Sequence, residues 1–252
     1  MKLTVLGSGT FISGPERATT GFALQLPSQT IAIDLGTGCF KNMQKAGIDY
    51  SKISNLFFTH FEHPGHINDL SAFLFARKGL AMLGLAGKNQ INLFGGPGFN
   101  GFVESLIKTY LSLQSLPFKL SISELEQFGT KKFPDFMLTT KAMKHVQSSL
   151  GFRFEANGKS VAFSGDTEPN ENLVDLAKDA DLLVAECNYA EKKGEGHMNA
   201  EQAAEIAVRA SAKALLLHHF SPEAENKDIN AIAAKKFNGK IYIAEDLMQV
   251  KI

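Results

Sequence analysis

Cysteine is scarce in this chain: Cys39 and Cys187 are the two, far apart and in no metal-binding spacing. A disulfide framework is not expected, and a reducing compartment is the default. Net charge is missing too, since 26 Lys and Arg balance 26 Asp and Glu. That balance argues against a whole-surface affinity for nucleic acid and leaves room for a local basic patch. No apolar run is long enough to span a bilayer. The apolar part of the opening MKLTVLGSGT is too short for a signal-peptide core. Low-complexity tracts and short repeats are absent as well. The expectation is a soluble, cytoplasmic protein with no membrane partner.

What the chain does have is ordinary globular composition, 44% hydrophobic and 21% charged over 252 residues. That length can bury a sizeable core. Strand-like and helix-like stretches alternate. Residues 2–6 read as a strand running into Gly7-Ser8-Gly9-Thr10. Residues 21–26 and 30–34 form a hairpin about Pro27-Ser28. A strand at 53–58 delivers Thr59 and His60. Helices are predicted over 67–84 and 99–113, with a strand at 91–95 between them. In the second half, a strand within 135–147 leads to His145. Two alternating runs then meet at Asn157-Gly158, a strong hairpin signal. A short helix at 170–178, a strand at 181–186, a helix at 200–211, and strands at 214–220 and 241–246 follow. Asn199 with Gln202 three residues on is a capping-box pattern for the helix at 200. Strands and then helices, twice over, suggest two similar halves packed sheet against sheet with helices outside. No linker divides them, so residues 1–252 are expected to form one domain.

Histidine carries the chemistry. Of seven histidines, three (His60, His63 and His66) lie where a strand gives way to a helix. His145, His218 and His219 lie near other strand ends. Strand ends at one edge of a sheet are where α/β folds build their sites. Neutral imidazole suits zinc, iron or manganese. The plain alternative is a chance cluster of surface histidines.

The segment His60-Phe61-Glu62-His63-Pro64-Gly65-His66 resembles the HxHxDH signature of the metallo-β-lactamase superfamily. Further motifs agree with it in order. Gly7-Ser8-Gly9-Thr10 and Asp34-Leu35-Gly36-Thr37-Gly38 look like the early turns of that family. His145 with Ser149-Leu150-Gly151 looks like its third metal motif. Ser164-Gly165-Asp166-Thr167 and Leu217-His218-His219-Phe220-Ser221 look like its later ones. Gly196-His197-Met198-Asn199 and the GGPGF at 95–99 resemble the ribonuclease Z and phosphodiesterase branch. The resemblance implies an α/β four-layer αββα sandwich and a metal-dependent hydrolase of phosphodiesters. It implies that His60, His63 and His145 hold a first metal, that Asp166 bridges, and that His66 and His219 hold a second. One or two Zn2+ ions are the expected cofactors, with Mn2+ or Fe2+ as alternatives. Such a metal brings the pKa of water toward ~7. His197 and Asp166 are then the catalytic residues, and Asp34 steadies a ligand histidine from behind.

The pattern breaks at its centre. Two residues, Phe61 and Glu62, separate the first two histidines where the family has one. Gly65 stands where the family has aspartate. Three expectations follow: a second metal site that is weakened or lost, Glu62 swinging in as a compensating ligand, or a catalytically degenerate binding protein.

Each role has a plainer counterpart. Asp166 could be a turn aspartate bonding its own backbone. His197 could be a solvent-exposed residue at a helix start. Glu186 could steady a histidine or be a structural charge. Cys187 reads as a buried small apolar residue, and the 20 phenylalanines mostly as core. Neighbours on a strand face opposite ways, so one of His218 and His219 can enter the site. The resemblance selects His219. Lys131, Lys132, Lys141 and Lys144, opposed in sequence by Asp135, make a basic stretch suited to a phosphate or a solvated face. The partner is expected to be a small phosphodiester, such as a cyclic nucleotide, or RNA. A ribonuclease Z-like endonuclease acting on transfer-RNA precursors is the alternative, although the long arm of those enzymes is absent. Homodimers are frequent in that branch, and nothing in this chain independently indicates one.

Overall fold

The structure, a computed structural model, describes residues 1–192 and 194–252. The first half is a sheet begun by three antiparallel strands, β1 (Lys2–Gly7), β2 (Gly21–Gln25) and β3 (Thr30–Leu35). It continues in parallel through β4 (Asn55–Phe57), β5 (Ile91–Gly95) and β6 (Leu120–Glu124). The crossovers carry helices α1 (Cys39–Lys45), α2 (Pro64–Ile67), α3 (Leu70–Met82) and α4 (Phe99–Thr109).

The second half mirrors this order. Strands β7 (Phe128–Lys132), β8 (Met137–Ala142), β9 (Leu150–Ala156) and β10 (Lys159–Phe163) are antiparallel. They are followed in parallel by β11 (Leu182–Glu186), β12 (Ala214–His218) and β13 (Lys240–Ile243). Helices α5 (Glu171–Leu176), α6 (Ala200–Arg209), α7 (Pro222–Glu225) and α8 (Ile229–Ala234) accompany them. The last strand, β14 (Gln249–Lys251), returns to the first sheet beside β1.

Strands β1, β3 and β11 are buried almost end to end, as expected where both faces of a sheet are covered. Between the sheets lies a phenylalanine-rich core. Phe57 stacks on Phe94 at 4.7 Å, and Phe152, Phe154 and Phe163 pack around them. A second core, with Leu56, Phe58, Phe73, Leu74 and Phe99, seals α1, α3 and α4 onto the first sheet.

Local signals explain much of this. Asn157 and Gly158 take φ of 50° and 70°, which a two-residue hairpin between twisted strands requires. Asn199 and Gln202 form the reciprocal capping box expected at α6. The helix anticipated over 67–84 is instead divided. The Asp69 amide bonds the Leu35 carbonyl across the chain, and the Asp69 carboxylate accepts the Phe40 amide. Strands β6, β7 and β14 and helices α1, α7 and α8 were not anticipated; all are short, although β6, LSISE, does alternate. Among the described residues, no helix is long and apolar enough to cross a membrane. Both cysteines are buried and free.

Candidate metal centre

Six of the seven histidines gather with three acidic residues beside the ends of β3, β4, β8, β10, β11 and β12, His197 coming from the segment before α6. His60 follows β4 after Phe58 and Thr59, and its ring is wholly buried. Its Nε2 stands 3.2 Å from Nδ1 of His63 and 3.8 Å from Oδ2 of Asp166. His145 closes the set, its Nε2 lying 3.3 Å from His63 Nδ1 and 4.0 Å from Asp166 Oδ2. A tetrahedral site with metal–nitrogen bonds of 2.0–2.1 Å has ligand–ligand edges of about 3.3 Å. The four donors therefore sit near the vertices such an ion needs.

A second set shares Asp166. The Nε2 atoms of His66 and His219 each lie 3.3 Å from Asp166 Oδ2. Inside the protein these groups have no ordinary partners. His66 Nε2, Asp166 Oδ1 and His219 Nδ1 are buried without a hydrogen bond. Orphaned buried polar atoms are costly unless something else satisfies them. A divalent cation fits the donor set and would satisfy His66 Nε2 and the Asp166 carboxylate.

The rear of the site fixes which nitrogen faces inward. Asp34 Oδ2 lies 2.8 Å from His66 Nδ1, and the same carboxylate accepts the Thr59 amide and hydroxyl, each at 2.8 Å. The Gly196 carbonyl accepts from His145 Nδ1 at 3.0 Å. Each contact steers Nε2 toward the cluster, the usual arrangement behind ligating histidine. Two glycines make the approach possible. A Cβ on Gly36 would come within 2.0 Å of the Gly65 carbonyl, so the turn after Asp34 can press against the His66 loop. Gly196 takes φ of 76°, and a Cβ there would meet His145 Nδ1 at 2.9 Å.

Electrostatics favours lone pairs directed at a cation. Burial drives His60, His145 and His219 below the ordinary imidazole value, so they are neutral at pH 7. Burial alone would raise the Asp166 carboxyl, but the ring of facing imidazoles, with the His66 hydrogen bond among them, holds it well below the carboxylate range. Without a cation His66 behaves differently. Burial opposes its charge, yet Asp166 and Asp34 outweigh burial and raise it to about 10. In that state a proton offsets the carboxylates.

Behind this lies a carboxylate–imidazole pair. Glu186, fully buried at the end of β11, has Oε1 2.9 Å from His197 Nδ1. Burial lifts the Glu186 carboxyl to about 7, against the pull of His197. His197, in turn, is raised by Glu186 in spite of burial. Each partner thus favours a proton lying between Glu186 Oε1 and His197 Nδ1. The His197 ring stacks on His219 at 5.3 Å and lines a cavity of about 560 Å³ beside the cluster. Phe11, Ile12, Pro64, Gly65 and Tyr189 form the apolar part of its wall.

Two sequence expectations, those for Glu62 and for the basic stretch, meet different geometry, whereas the choice of His219 over His218 agrees with it. Glu62 is not brought to the cluster. It is exposed, and its Oε2 accepts from the Ser148 hydroxyl at 2.6 Å and from the Phe61 amide at 3.1 Å. His218 turns away from the site, packing edge-on against Phe22 at 4.9 Å, while His219 takes φ of 63° and turns in. The basic stretch is half neutralised: Lys141 pairs with Asp175 and Lys144 with Glu168, while Lys131 lies over the Phe94 ring. Sequence reading missed Ser148 and the Phe11–Ile12 wall, which no motif marks, and the part of the Gly196 carbonyl, although Gly196 lies in a quoted motif.

Comparison with known proteins places these features in context. Residues 1–241 match the family described as "Anti-Pycsar protein Apyc1". A ribonuclease Z of Methanothermobacter thermautotrophicus is 24% identical, over 100% of this chain and 97% of that protein. The probable metallo-hydrolase YhfI of Bacillus subtilis is 26% identical over 97% of each. The crystal structure of YhfI, described as a metallo-β-lactamase fold protein, superposes with a TM-score of 0.87 at 23% identity, covering 99% of this chain and 98% of that one. Human tRNase Z, short form, gives 0.80 at 23% identity, covering 100% and 99%. The architecture is thus the four-layer metallo-β-lactamase sandwich.

Proposed function

Because this chain belongs to the family of the anti-Pycsar protein Apyc1, we propose that it is a divalent-metal-dependent hydrolase of small phosphodiesters, cyclic nucleotides among them. The observation that carries this reading is the set of His60, His63, His145 and Asp166, with ligand atoms within 4.8 Å of one another. A cation held there would supply water ionised near neutral pH and would offset charge growing on the phosphoryl oxygens. His63, exposed and lining the cavity, would complete the quartet. Asp166 would bridge to His66 and His219. Asp34 would fix His66 from behind. Glu186 orients His197 through Nδ1, so the other ring nitrogen is available to hand a proton to the departing oxygen. The cavity of about 560 Å³ suits a mononucleotide-sized ligand.

Hydrolysis of bis(p-nitrophenyl) phosphate with added Zn2+, Mn2+ or Fe2+ tests the proposal. Turnover that depends on metal and vanishes in His60→Ala supports it. Absence of turnover with every metal, in protein that binds the metals, would leave the degenerate binding protein as the better reading.

A second reading, cleavage of transfer-RNA precursors, is favoured by relatives named ribonuclease Z. The alignment with the archaeal enzyme spans 306 positions against 252 residues here, so that enzyme carries segments this chain does not have. Paired lysines and zero net charge also favour the smaller substrate. A steep salt dependence of RNA binding would support the ribonuclease reading. Cytoplasmic residence and zinc as the resident metal belong to the same proposal.

A further inference from the structure

The two donor sets are unequal, and the inequality traces to position 65. The first set has four protein donors, His60, His63, His145 and Asp166; the second has His66 and His219 and must share Asp166. The residue before His66 is glycine. A Cβ on Gly65 would meet only the Phe11 Cβ, at 4.0 Å, and its φ is not left-handed. Gly65 lines the same cavity as His66, Asp166 and His219. The backbone there has room for a Cβ beside the second donor set, and the chain supplies no side chain.

The neighbouring acids are otherwise engaged. Glu62 is held by Ser148 and by the Phe61 amide. Glu186 accepts the Thr167 amide on Oε1, beside His197, and the Asn188 amide on Oε2. Glu223 accepts the Ala190 amide. Asp34 addresses the opposite nitrogen of His66. A second cation would therefore share one negative charge with a dication already bound to the first set.

We propose that the protein holds one divalent cation tightly, at His60, His63, His145 and Asp166, and that the His66–Asp166–His219 position is a low-affinity site filled only at raised metal concentration. The inference rests on reading the cluster as a metal centre. Affinity for divalent cations follows ligand number and ligand charge. Loss of a supporting outer partner alone costs 10–100-fold, so a missing ligand is expected to weaken the second site by at least about 100-fold.

Zn2+ titration against a chromophoric chelator, with metal analysis after dialysis, reads this without any substrate. The expected result is one retained equivalent and a second at least about 100-fold weaker. His63→Ala should abolish the retained equivalent, whereas His66→Ala should keep it and remove the weak one. Gly65→Asp, checked for folding by circular dichroism, should retain two equivalents. Two tightly held equivalents in the unaltered chain, or loss of the retained equivalent in His66→Ala, would overturn the inference and leave the hydrolase reading intact. So would a folded Gly65→Asp protein that retains one. Failure to bind Zn2+ at all would overturn both.

Discussion

Asp34 offers the sharpest separation of fold from metal. Its carboxylate is 2% exposed and serves the Thr59 amide, the Thr59 hydroxyl and His66 Nδ1, each at 2.8 Å. Asp34→Ala strands the amide and the imidazole nitrogen inside the protein. Each unsatisfied buried group costs about 1–3 kcal/mol, so the variant should lose about 2–6 kcal/mol. Alanine also tolerates the left-handed φ of 52° less well than aspartate does. Against a total stability of roughly 5–15 kcal/mol this is severe. Asp34→Asn differs in kind. Its carbonyl still accepts the Thr59 amide, but its NH2 now donates to His66 Nδ1. That locks the proton of His66 on Nε2, the atom facing Asp166, and removes its lone pair. Urea unfolding of the metal-free Asn variant should show a smaller loss than the Ala variant, because the Thr59 amide keeps its acceptor while protonated His66 loses one carboxylate partner. Its affinity for the weaker Zn2+ equivalent should fall about 10–100-fold. Equal stability of the Ala variant, together with unaltered Zn2+ binding by the Asn variant, would refute the reasoning.

Other outcomes follow from the same geometry. His197→Ala should lower kcat about 10²–10⁴-fold for a diester with an alkyl leaving group and much less for a nitrophenyl ester, with metal content unchanged; equal losses for both esters would exclude proton donation to the leaving oxygen. Burial lowers His218 to about 3, against an ordinary value near 6.5. The unfolded chain therefore binds the extra proton, and this contribution to stability is complete above about pH 6.5 and lost as pH falls toward 3. In metal-free protein, His218→Gln should remove about 2 kcal/mol of the stability lost between pH 7 and pH 5, measured by urea titration at each pH. Gly196→Ala places a Cβ 2.9 Å from His145 Nδ1 at a φ of 76°. It should cost about 1–2 kcal/mol in thermal unfolding and loosen the tight Zn2+ equivalent. Lys144→Ala should leave KM for a small diester within about twofold, since Glu168 already neutralises that lysine and exposed pairs contribute little.

Chemistry-bearing residues were legible where a motif ties them to a strand end. His60, His63, His66, His145, Asp166 and His219 follow strands or turns whose hydrophobic runs are plain in the sequence, and the structure brings their ligand atoms together. The hairpin at Asn157-Gly158 and the cap at Asn199 were legible because their determinants lie within a few residues. Element boundaries were less so. The helix over 67–84 broke because the Asp69 amide found the Leu35 carbonyl, a partner no local pattern reveals.

The sequence by itself determined which residues can carry lone pairs, where they stand relative to strand ends, and that position 65 has no carboxylate. Local chemistry suffices for that, since turns, caps and alternation act over a few residues. Tertiary structure decided the rest. It sent Glu62 to Ser148, paired Lys141 and Lys144 with acids from the following segment, faced Glu186 with His197, and turned His219 inward while His218 packed on Phe22. These outcomes depend on which distant side chain is nearest once both sheets have packed, and on a single left-handed residue at the end of β12. Hydrophobic burial fixes the sheets first in energetic weight, and the polar groups then take the partners that burial leaves within reach.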